Sequence, residues 1–370
     1  MNDYLDGAEA DLVRRGQLLL NKIPVHQPRE YYLLTQRCRA ELTTLLDALR
    51  DIKSLSPPER LRTFQRIVAE IDLLEITGFA ALNRATDDDR YLNILIERIT
   101  REINYPLLPP VVTSLSQGYF YIYPHIGLLC VPLGEADALL HLPDLYHELA
   151  HPLADERYDP RVQPFRLGLS RSLSEIQSYI ATEQERELRS RGPQSFQVYL
   201  NTWWKSWNQS WLVEFFCDLF ATYMLGPAYA WSNLHLCAKR GGDPFVVPRH
   251  TPTSHPADDG RMMAILYGLR LAGFADEADD VTCRWQQFIE LTEYSASAEY
   301  LRCFNRELLQ KLAEIGYYAV QQMGCQIAEL TTSDRMYTLF NTAWQQFWHD
   351  PKRYARWEAQ AVQQLRQELI

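Results

Sequence analysis

"YHELAHPLADE", residues 146–156, sets His147, Glu148 and His151 in the order H-E-x-x-H. On a helix, residues four apart lie on one face. The two imidazoles then converge, and Glu148 points into the same space. Two imidazole nitrogens can share a metal ion, and a carboxylate beside them can take a proton from water; this is the chemistry of zinc-assisted hydrolysis. A hydrolytic zinc ion (Zn2+) needs a third protein ligand and keeps one position open. The rest of the chain must supply that ligand.

A third histidine in H-E-x-x-H-x-x-G-x-x-H would be one source, but Ala154 and Arg157 occupy those places. A later helix offers another: "WLVEFFCDLFATYMLG" carries Glu214 and Asp218, again four apart. Both are charged residues in an otherwise apolar helix, and burying two carboxylates costs several kcal/mol unless each has a partner. Zinc on Glu214 and a histidine N–H on Asp218 would satisfy both together. A third segment, "HTPTSHPADDGRMMAILYGL", sets His255, Pro256 and Arg261 in H-P-x-x-x-x-R. Such a histidine can donate to the oxyanion that forms on an attacked carbonyl, and the arginine can support it or neutralise nearby carboxylates.

In this order the three motifs resemble the glutamate-liganded zincins (gluzincins), closest to the CAAX prenyl-protease and stress-protease branch. The resemblance covers roughly residues 118–270 and is confined to the motifs. It implies that His147, His151 and Glu214 bind Zn2+ and that Glu148 is the general base. It further implies that Asp218 orients a ligating histidine, and that His255 and Arg261 face the transition state. The chain departs from that branch in two ways. Many of its members are membrane-embedded, whereas no run here approaches 18 apolar residues. Pro152 follows the second histidine, so the motif helix is expected to end or kink there.

Outward from the motifs the pattern is mostly helical. "ELTTLLDALRDI" places Leu42, Leu45, Leu46 and Leu49 on one helical face. "SPPERLRTFQRIVAEIDLLEITGFAAL" opens with Ser56 as an N-cap candidate and prolines in the first turn. "DDDRYLNILIERITREINYP" is a third helix, stopped by Pro106. "YPLLPPVVTSLSQG" reads as a proline-marked link. After it, "YFYIYPHIGLLCVPL" is the one convincing β stretch, a hairpin of residues 119–123 and 128–133. In the gluzincin resemblance this hairpin is the edge on which an extended substrate lies, by strand addition. Trp203, Trp207 and Trp211 recur every four residues, as in a packed stripe rather than a ligand cage. Gly226-Pro227 ends their helix. His125, His141, Asp155 and Glu156 read as surface or core groups.

The expected fold is mainly α with a small β-hairpin or sheet. We expect an N-terminal helical region (1–110), a zincin-like core (111–270) and a C-terminal helical region (271–370). With 46% hydrophobic residues, the chain of 370 can bury a sizeable core. A formal charge of −10 without a basic block argues against a nucleic-acid partner. Seven cysteines, singly placed and odd in number, are the usage of a reducing compartment. The N-terminus has no signal-peptide pattern, so the expected localisation is cytoplasmic. The expected activity is that of a zinc metallopeptidase that cuts within a peptide or protein substrate. Its N- and C-terminal helical regions would restrict access or recognise the substrate, and a regulatory protein could be a partner. The alternative is a non-catalytic helical regulatory or scaffold protein with a structural or vestigial zinc site.

Overall fold

The leucine spacing that marks residues 42–49 as one helical face runs through a longer helix, and similar stripes account for most of the chain. A computed structural model describes residues 2–24, 28–116, 118–190 and 195–369. The protein is mainly helical with one small mixed sheet. Its internal contacts divide it into two units: residues 1–97, 109–136 and 369–370, and residues 98–108 and 137–368.

The first unit contains α1 (Asn2–Asn21), α2 (Tyr32–Asp51), α3 (Pro57–Leu74), α4 (Ala80–Asn83) and most of α5 (Asp87–Glu102). Leu42, Leu45, Leu46 and Leu49 of α2 are buried in an apolar core with Ile67 and Ile71 of α3 and Leu128. Ser56 stands at the start of α3, but its hydroxyl bonds to the Glu59 carboxylate rather than to a backbone N–H. At the far end of α5, Asn104 takes a left-handed conformation (φ 50°), and the Tyr105 N–H returns to the Thr100 carbonyl. That is a helix-ending turn, so the chain has already left the helix before Pro106.

The sheet is larger than the expected hairpin. β2 (Tyr121–Tyr123) and β3 (Leu128–Pro132) pair antiparallel, Tyr123 opposite Leu128. The segment read as a link holds a third strand, β1 (Val111–Ser116), parallel to β3 with Val111 opposite Leu128. The order is β1-β3-β2. Side chains of α5 bond to the backbone of β1. Asn93 accepts from the Val112 N–H at 3.0 Å and donates to its carbonyl at 2.8 Å, and Asp89 accepts from the Ser114 N–H at 2.6 Å. Asp89 also accepts from the Thr86 N–H while Thr86 accepts from the Asp89 N–H, a reciprocal cap on α5.

The second unit contains α6 (Asp144–Asp155), α7 (Gln163–Ser190), α8 (Ser195–Ser206), α9 (Leu212–Leu225), α10 (Pro227–Arg240) and α11 (Asp258–Leu271). These are followed by α12 (Ala275–Thr292), α13 (Ala298–Cys303), α14 (Arg306–Gln322), α15 (Arg335–His349) and α16 (Tyr354–Leu369). α9 is apolar all round and buried, as such a helix must be. It packs on α6, α7, α11 and α14. A Cβ at Gly268 of α11 would lie 3.1 Å from Leu219 of α9, so glycine sets how closely those two helices approach. A wide π turn, Trp207–Trp211, joins α8 to α9. Trp203, Trp207 and Trp211 are all buried, and Trp207 stacks on Phe215 at 5.0 Å between ring centres. Among the described residues no helix is long and apolar enough to cross a membrane.

Candidate metal centre

Three helices of the second unit carry the motif residues. α6 presents His147, Glu148 and His151; of the two expectations for Pro152, an end or a kink, the helix does not end there but runs on to Asp155. Proline removes the N–H that would have met the Glu148 carbonyl, one bond close to the helix end. The next carbonyl, of Leu149, accepts from the Tyr105 hydroxyl at 2.7 Å, an anchor outside the helix. Both histidines precede the proline and keep helical spacing.

α9 brings its two carboxylates to α6. Glu214 Oε2 lies 3.4 Å from His147 Nε2, and Oε1 lies 4.0 Å from His151 Nε2. Donors bonded to one tetrahedral zinc ion at about 2.05 Å stand about 3.3 Å apart. The first separation matches this; the second, made by the other carboxylate oxygen, is about 0.7 Å longer and closes if the carboxylate turns toward both rings. Asp218, fully buried, takes the other side of the same ring, its Oδ1 2.9 Å from His147 Nδ1. An Nδ1–H donated to Asp218 leaves Nε2 to face Glu214. The residues therefore fit a zinc ion: two imidazole nitrogens and one carboxylate, with a second carboxylate behind one ring.

The charges agree with that fit. Burial works against a charged His147 ring, yet Asp218 and Glu214 outweigh it and hold the ring's pKa at about 10. The proton so held on Nε2 stands where an ion would displace it. Burial would raise Glu214, but the His147 contact brings it down to about 2. His151 is lowered to about 4 by burial and by the His147 charge, which favours the neutral ring that metals bind. Glu148 is pushed up to about 7 by burial, which His147 only partly opposes. Among the described residues its carboxylate forms no hydrogen bond.

Arg261, on α11, takes one of its two expected places, that of neutralising a carboxylate. Its guanidinium closes on Asp218, with Nε donating to Oδ2 at 2.8 Å and Nη2 to Oδ1 at 2.6 Å. It is buried, and Asp218 stands between it and the His147 ring. His255 precedes α11 on an exposed loop, its Nε2 4.0 Å from Glu214 Oε2. The loop is pinned at Thr253, whose N–H donates to Ser206 and whose hydroxyl accepts from Trp211 Nε1. Ser254 Oγ lies 2.9 Å from His255 Nδ1.

Sequence reasoning missed two participants. The Tyr229 hydroxyl donates to Asp218 Oδ1 at 2.5 Å and lies 3.1 Å from His147 Nδ1. No spacing announces it, because a chain reversal at Gly226 brings it there. Cys217 has its sulfur and one nitrogen each of His147 and His151 within 4.8 Å of one another. Its place inside E-x-x-x-D was visible, but a cysteine in an apolar helix reads as core. In comparisons with known proteins, no family model, no curated protein and no solved structure matches the chain.

Proposed function

We propose that the protein is a zinc-dependent metallopeptidase of gluzincin type, hydrolysing peptide bonds in a peptide or protein substrate. One observation carries this reading: the Glu214 carboxylate lies 3.4 and 4.0 Å from the Nε2 atoms of His147 and His151, with Asp218 behind His147. An ion held there supplies Lewis acidity, polarising a carbonyl and making water more acidic.

The remaining steps belong to the chain. Glu148 accepts a proton from the attacking water and returns it to the leaving amine. Asp218, itself held by Arg261 and Tyr229, keeps the His147 ring in one tautomer and one orientation. His255 donates through Nε2 to the oxygen on which negative charge develops. Glu148→Gln should bind the ion as the wild type does and lose peptide hydrolysis. Equal loss of ion and activity would move Glu148 into the ligand set. Hydrolysis near the wild-type rate would overturn the mechanism.

A second reading is a helical regulatory or scaffold protein with a structural ion. It is favoured by Cys217, a further donor close to both histidines. Against it stands Glu148, a buried carboxylate beside the histidines that a purely structural centre would not need.

A further inference from the structure

Glu214 is not the only third donor beside the histidines. Cys217 follows it by three residues on α9 and is fully buried. Its Sγ and one nitrogen of each histidine lie within 4.8 Å of one another, and among the described residues this is the one such trio of His, Cys, Asp or Glu. Zinc–sulfur bonds of about 2.3 Å and zinc–nitrogen bonds of about 2.05 Å put tetrahedral donors about 3.5 Å apart. Side-chain shifts on the order of 1 Å would let the three share an ion. Packing explains why a cysteine is buried, but not why its sulfur lies beside both ligating rings.

Glu214 stands beside this trio as a further donor, its Oε2 3.4 Å from His147 Nε2 and its Oε1 4.0 Å from His151 Nε2. A hydrolytic zinc centre uses three and leaves a position open, whereas four protein ligands mark a closed centre. We propose that Cys217 is a displaceable fourth ligand: its thiolate closes the centre, and its release opens the position that water and substrate use. This rests on the metallopeptidase reading and gives that site a resting state. On closing, the S–H proton passes to solvent as the sulfur–metal bond forms; on opening, that bond breaks and the thiol regains a proton. Neither step needs an oxidant or a reductant. The two readings of the centre then become two states of one centre.

Cobalt(II) distinguishes sulfur from oxygen and nitrogen donors by its absorption. Metal-free protein loaded with cobalt should take up one equivalent and display visible d–d bands together with a near-ultraviolet thiolate-to-cobalt band. Cys217→Ala and the nearly isosteric Cys217→Ser should keep the visible bands, lose the near-ultraviolet band and hydrolyse peptides several-fold faster. Visible bands that disappear in His147→Ala, with no near-ultraviolet band in the wild type, would overturn the proposal and leave the metallopeptidase reading intact. No cobalt bound at the histidines would overturn both. The wild-type spectrum decides the matter even if neither cysteine variant folds.

Discussion

Each unit buries charged and polar side chains, but they are satisfied in different ways. In the first unit, Arg60 meets Glu9 at 2.6 Å and Asp6 at 2.5 Å, while Asp89 and Asn93 bond to the backbone of β1. Apart from Glu9 Oε2, which has no partner among the described residues, those groups meet protein donors and acceptors and hold elements together. In the second unit Asp218 is satisfied just as fully, by Arg261, Tyr229 and His147. The difference begins one layer out. Glu214 lies 3.4 Å from His147 Nε2 and 4.0 Å from His151 Nε2, looser than the 2.9 Å contact of Asp218 with the same His147 ring, and among the described residues Glu148 beside them forms no hydrogen bond. Burial of polar groups alone does not mark a candidate functional centre; several titratable groups converging with displaced pKa values do.

Substitutions can break this contrast, and the largest effect is expected at Arg261. Arg261→Met leaves Asp218 charged and buried against fewer partners, and should cost about 3–5 kcal/mol of stability. The same replacement at Arg60 should lower the thermal midpoint less, because Asp6, 55% exposed, can turn to water and the buried Glu9 loses one hydrogen bond where Asp218 loses two. Equal shifts would remove the distinction between the units. Asp218→Asn should weaken zinc affinity by about 10–100-fold, the usual cost of losing a group that orients a ligating histidine. Competition with a chromophoric chelator measures it, and unchanged affinity would mean that Asp218 serves folding alone. Asp89→Ala should cost about 1–3 kcal/mol by leaving strand and cap N–H groups unpaired, with zinc affinity unaltered. A loss of zinc affinity there would contradict the division of roles. Tyr229→Phe is the mildest, about 1 kcal/mol for one hydrogen bond; denaturant titration checks it.

The helices were legible because their apolar stripes repeat locally, as in Leu42–Leu49. β1 was not, since its parallel partner β3 is set by long-range pairing and two prolines precede it in sequence. The candidate site divides the same way. His147, Glu148, His151, Glu214 and Asp218 could be singled out because helical spacing is a short-range rule. Arg261 could be placed near His255 by number, but only packing decides that its fork turns to Asp218. Tyr229 carries no local signal, and Cys217, though inside E-x-x-x-D, reads as core. Read as a stop, Pro152 placed the helix end three residues early: proline breaks a helix less within a turn of its end, where few hydrogen bonds remain to lose.

The reversal between α9 and α10 has a consequence for anyone moving this centre to another scaffold. Gly226 has φ 67° and ψ −139°, and a Cβ there would lie 3.1 Å from Phe274. Pro227 starts the next helix at once, which delivers Tyr229 to Asp218. The smallest portable cassette is therefore not the two motif helices. It is α6 together with the whole α9–Gly226–α10 hairpin and the segment from Thr253 to Arg261, and a graft that substitutes another joint at Gly226 would carry the ligands without the brace that aims them.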